Sequence, residues 1–152
     1  MGRFKRPIRR LKDGSYAFEI DGDLKRFIAD LASQLHGVLG NDAPTLRRLF
    51  PTAYPDDPER DAGYQILARG ELIDQRQASI DEVLRTAEQK SLSHEELMAW
   101  MRTVNDLRLV LGTQLDVSED DDGPGEDDPD FDTHHVYRVL GMVLEEIVHA
   151  LT

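Results

Sequence analysis

Asn105-Asp106-Leu107-Arg108-Leu109-Val110-Leu111-Gly112 sets a polar pair and one arginine inside an apolar run that stops at a glycine. That run limits what the chain can build. Leu97, Trp100, Met101, Val104, Leu107, Leu111 and Leu115 recur every three or four residues, the spacing of a helix buried on one face. Ser93 and Glu96 stand before it at capping-box spacing, a hydroxyl with an acid three residues later. A partly buried arginine needs a carboxylate, and a buried amide needs partners. Asn105, Asp106 and Arg108 therefore read as an internal polar network that fixes how this helix packs; a partner-binding surface is the other reading. Gly112 is the place for close helix approach or a bend.

The same period predicts further helices. Leu24, Phe27, Ile28, Leu31, Leu35, Val38 and Leu39 form a stripe on a helix starting near Asp21 or Asp23, with Gly40-Asn41 ending it. A short helical turn is expected at Thr45–Phe50. The segment Pro51 to Pro58 reads as an ordered loop stiffened by three prolines and anchored by Tyr54. A long helical segment then covers Glu59 to about Gln89, with Tyr64, Leu67, Ile73, Ile80, Val83, Leu84 and Ala87 inward and Gly70 able to split or bend it. The last helix runs from about Thr133 to Ala150, with Val136, Val139, Leu140, Val143, Leu144, Ile147 and Leu151 on one side.

Residues 3–20 read as a β-hairpin. Asp13-Gly14 signals a turn, and Tyr16, Phe18 and Ile20 alternate with Ala17 and Glu19. A three-residue loop, Asp13-Gly14-Ser15, places Ile8 opposite Ile20 and Arg9 opposite Glu19. Pro7 confines the first strand to an edge. Two strands alone are marginal, so the hairpin is expected to dock on helices or on another copy, and a homodimer is one outcome. The expected fold is mainly α: a bundle of four to five helices with a short N-terminal β-hairpin, forming one domain over 1–152. Its parts are the basic hairpin (3–20), a helical core (21–115), an acidic loop (117–131) and a C-terminal helix (132–152).

Charge is unevenly spread in this chain of net charge -12. Arg3, Lys5, Arg6, Arg9, Arg10 and Lys12 crowd the start, and are the candidate contacts for a protein partner or for nucleic acid phosphates. Ten of the 30 acids lie between Asp116 and Asp132; within that stretch Ser118 to Asp130 is too polar to offset its ordering entropy and reads as a disordered loop. No apolar stretch approaches the ~18–20 residues of a membrane span. No apolar segment follows Met-Gly-Arg-Phe-Lys-Arg, so no secretory signal is expected. A cytoplasmic protein follows as the expectation, with no membrane contact.

Chemistry-bearing patterns are thin. Glu146-Ile147-Val148-His149 has the Glu-x-x-His spacing of di-iron bundles but occurs once. His94-Glu95-Glu96 lacks the second histidine of a zincin, and His134-His135 offers no more than weak divalent binding. No phosphate loop and no nucleophile–base arrangement can be argued. The expectation is no cofactor, no metal, no catalytic residue and no enzyme. Without cysteine there is no thiol switch; Met98, Met101 and Met142 are expected in the core or in grooves.

The run Asn105–Leu115, together with Leu49-Phe50-Pro51-Thr52-Ala53-Tyr54-Pro55-Asp56-Asp57, resembles the actinobacterial AosR-like family. The order of basic strand, helix, proline loop, long helix, signature helix and C-terminal helix is similar over the whole chain outside the acidic loop. The resemblance implies a transcription regulator of the oxidative-stress response, acting with RNA polymerase or a sigma factor through protein–protein contacts. Two alternatives stand beside it: direct DNA binding through the basic hairpin, and a proteolysis-linked adaptor, since relatives of the family resemble gene-order neighbours of the ClpS adaptor.

Overall fold

A computed structural model describes residues 5–40, 44–50, 54–115 and 131–152. In chain order it contains β1 (Ile8–Arg10), β2 (Tyr16–Phe18), α1 (Gly22–Val38), a 3₁₀ segment (Pro44–Leu49), α2 (Pro58–Thr86), β3 (Ser91–Leu92), α3 (His94–Leu115) and α4 (Phe131–Leu151). The mainly α reading holds, with a small antiparallel sheet in place of a lone hairpin.

The hairpin register differs from the expected one. Ile8 pairs with Phe18, Arg9 with Ala17 and Arg10 with Tyr16. The turn decides this. Gly14 is at φ 89°, its N–H donates to the Leu11 carbonyl at 3.1 Å, and the loop is Lys12-Asp13-Gly14 with glycine in the left-handed third place. The slip is two residues, so every side chain keeps its face. Arg9 still reaches Glu19 diagonally, at 3.0 Å. A third strand, β3, pairs with β2 through Tyr16 and Leu92, which leaves β1 at an edge as Pro7 requires.

Caps locate the helices. Asp21 accepts from the N–H of Asp23 at 2.7 Å and of Leu24 at 3.3 Å. Asp57 accepts from the N–H of Arg60 at 3.1 Å, with Pro58 in the first turn. Ser93 and Glu96 close the capping box reciprocally, at 2.8 and 3.1 Å. Two glycines do not interrupt their helices: α2 runs through Gly70, and α3 runs through Gly112 to Leu115. The acidic loop (117–131) lies outside the described residues except Phe131, which opens α4.

Helix α3 is the centre, packed against α2, α4 and the 3₁₀ segment, while α1 lies on α2 and β1 on α4. Trp100 is fully buried. Its ring lies 4.7 Å from that of Phe18 on the sheet, and its N–H donates to the Thr86 hydroxyl at 2.7 Å. Lys25 is buried too, donating to the carbonyls of Phe18 at 2.7 Å and Gln89 at 2.9 Å. Burial holds that amine below the usual lysine range. Several residues expected inward are not: Phe27, Val38, Tyr64, Leu67, Leu84 and Met142 are exposed. No helix among the described residues is long and apolar enough to cross a membrane.

Candidate functional site

The polar residues of α3 go to three places. Asp106 is buried and accepts from a guanidinium N–H of Arg76 on α2. Arg76 also donates to the Leu49 carbonyl at 3.0 Å, so one arginine ties α2, α3 and the 3₁₀ segment together. Burial raises the Asp106 carboxyl above the usual aspartate range, while the hydrogen bond and charge of Arg76 oppose the shift. The Nε of Arg76 is buried with no hydrogen-bond partner among the described residues.

Arg108 does not use that carboxylate. Its guanidinium lies over the Tyr137 ring of α4, 4.6 Å from the centroid, a cation–π contact. Two glycines make room there. A Cβ on Gly141 would stand 3.3 Å from Arg108 Nε. One on Gly112 would stand 2.9 Å from an Arg48 nitrogen and 3.3 Å from the Tyr137 ring. Gly112 therefore sits where an arginine and a tyrosine press close to the α3 backbone.

Asn105 is exposed. It lines a cavity of about 230 Å³ between α2 and α3 with Gln75, Arg76, Ser79, Arg102 and Asp106.

The basic hairpin is partly neutralised. Arg6 pairs with Glu146 of α4 at 3.1 Å, and Arg9 with Glu19, whose carboxyl is held below the usual glutamate range by that bond and charge. Lys5, Arg10 and Lys12 are exposed and form no ion pair among the described residues. Arg3 lies outside them. Among the described residues no three His, Asp or Glu side chains come together as a metal would require.

Sequence reading missed Arg76, Tyr137, Arg48 and Gly141. Arg76 was the detectable one, because it interrupts the stripe Leu72, Ile73, Ile80, Val83 on α2.

These features meet a family model, the domain of unknown function DUF2017, which matches residues 1–151. The chain belongs to the DUF2017 family. Its DUF2017 region is similar to proteins named oxidative stress regulator AosR from Mycobacterium tuberculosis and Mycobacterium bovis, 34% identical over 91 residues. A putative oxidative stress regulator AosR from Mycobacterium leprae is 32% identical over the same length. Each match covers 49% of this chain and 42% of the relative, so the similarity spans less than half of those proteins. No solved structure matches.

Proposed function

We propose that this DUF2017 chain is a non-enzymatic regulatory module of the oxidative-stress response, working in the cytoplasm through protein–protein contacts with the transcription machinery. The 34% identity to proteins named oxidative stress regulators carries the reading. The geometry fits it. Asp106 and Arg108 are spent on Arg76 and Tyr137, which fixes the bundle and leaves its outer faces to make contacts. With no cysteine, a signal reaches this chain through a partner or by some means other than a disulfide.

Affinity capture of the tagged full chain from peroxide-treated and untreated cells, read by mass spectrometry, tests it. Enrichment of a sigma factor or polymerase subunits is expected. Capture of protease components in their place moves the reading to a proteolysis-linked adaptor, and capture of neither overturns both.

A second reading, direct DNA binding, is favoured by the exposed Lys5, Arg10 and Lys12. It requires duplex affinity that falls with salt at a log–log slope near -3 for about three phosphate contacts. Neutralising those three residues must abolish it.

A further inference from the structure

Two neighbouring side chains on the first half of α2 are almost bare: Ile66 at 82% and Leu67 at 84% of full exposure. One exposed apolar residue is ordinary; an adjacent pair in an organised setting marks a contact surface. The setting here is organised. Glu59, Gly63, Ile66, Leu67, Gly70 and Asp74 follow the spacing of one helical face, and all six are exposed. Added Cβ atoms on Gly63 or Gly70 would meet nothing within 4 Å, so a neighbouring helix can come close to the α2 backbone on either side of the apolar pair.

Charge distinguishes the possible occupants. The nearby arginines are folded away from this face: Arg60 lies 4.3 Å from the centroid of Tyr54, and Arg69 lies 4.3 Å from that of Phe50. Glu59 and Asp74 bracket the apolar pair, with Glu71 at its margin, all exposed. A second copy laid antiparallel about Ile66 and Leu67 would set Glu59 against the other copy's Asp74 at both ends, and a parallel copy would stack each acid on itself. Two chains of net charge -12 add to that repulsion.

We propose that this face of α2 docks a cationic amphipathic helix of a protein partner. Ile66 and Leu67 meet its apolar stripe, and Glu59 and Asp74, about 22 Å apart along the axis, pair with its lysines or arginines. This helix-on-helix contact rests on the regulatory reading above and supplies that reading with a contact surface.

Three synthetic helical peptides of about 18 residues test it. They share one leucine stripe and differ in carrying lysine, glutamine or glutamate beside it. Fluorescence anisotropy with the full chain at about 0.15 M salt is expected to rank them lysine first and glutamate last, at least about tenfold apart. Ile66→Ser combined with Leu67→Ser keeps the net charge. It is expected to weaken the lysine peptide about tenfold or more, with circular dichroism and melting unchanged. Glu59→Lys combined with Asp74→Lys is expected to invert the ranking. Equal affinity for all three peptides, no binding of the lysine peptide, or undiminished binding by the serine variant overturns the proposal. So does a wild-type dimer in sedimentation equilibrium that the serine variant dissolves, which assigns the face to a second copy. If a transcription partner captured as above binds the serine variant as tightly as the wild type, this surface is wrong and the regulatory reading stands.

Discussion

The two halves of α2 share one unbroken helix and have different fates. From Ile73 onward it buries Ser79, Ile80, Val83 and Thr86 against the core. Before Ile73 no residue is fully buried, and Ile66 and Leu67 face outward. The second half lies in the layer of α1, α3 and the sheet. The inner side of the first half meets Phe50 and Tyr54, each covered by an arginine. Helical period defines which residues share a face; whether that face is buried depends on what the rest of the chain brings to it.

Substitutions along α2 can break this contrast. The largest effect is expected at the junction. Arg76→Met strips the cation from a buried carboxylate and is expected to cost about 3–5 kcal/mol. Burial raises the Asp106 carboxyl and Arg76 opposes that shift, so removing Arg76 raises it further in the folded state. The loss therefore grows as pH rises through its folded pKa and is smaller in acid, and urea unfolding at about pH 5 and about pH 8 reads this sign. Next, Ile80→Ala in the buried half is expected to cost about 2–5 kcal/mol by the same assay. A small cost would mean that α2 is loosely held throughout.

The third effect belongs to the end of the buried half, where Arg85 bridges Glu82 and Glu96, each at 2.6 Å. The backbone N–H of Ser93 holds the Glu96 carboxyl below the usual glutamate range against the opposing effect of burial, and Arg85 helps. Its stabilisation is present above the unfolded glutamate pKa and is lost as pH falls through the lowered folded value. Glu96→Gln is expected to cost about 1 kcal/mol at neutral pH and to flatten the acid limb of a stability–pH curve. Smaller still, Gly70→Ala in the open half is expected to stabilise by up to about 1 kcal/mol, because nothing obstructs the methyl. The smallest effect is that of Ile66→Ser with Leu67→Ser, within about 0.5 kcal/mol in thermal unfolding. A larger loss would mean that the face is covered in the isolated chain.

Local chemistry was legible in the sequence. The caps at Asp21 and Ser93–Glu96 and the stripe Leu97, Trp100, Val104, Leu107 follow from side chains within a few residues of one another. The turn was half legible: Asp13-Gly14 gave its place, and the left-handed demand of Gly14 moved the register by two. β3 was not legible, because two residues cannot display a two-residue alternation. The Arg76–Asp106 pair was not legible either, since it joins residues 30 apart and one plausible arginine, Arg108, sat closer in sequence. The outward turn of Tyr64 and Leu67 was hidden for the reason that separates the halves of α2: a sequence displays a face and not its cover.

Lys25 gives the sheet an internal clock. Of the four lysines, Lys5, Lys12 and Lys90 are open to solvent, while the Lys25 amine is enclosed between two carbonyls of the sheet and of the α2–β3 connection. An acylating reagent meets three lysine amines in the native molecule, and the fourth only when α1 parts from the sheet. The slow appearance of label on Lys25 therefore measures how often that seam opens, without any unfolding agent.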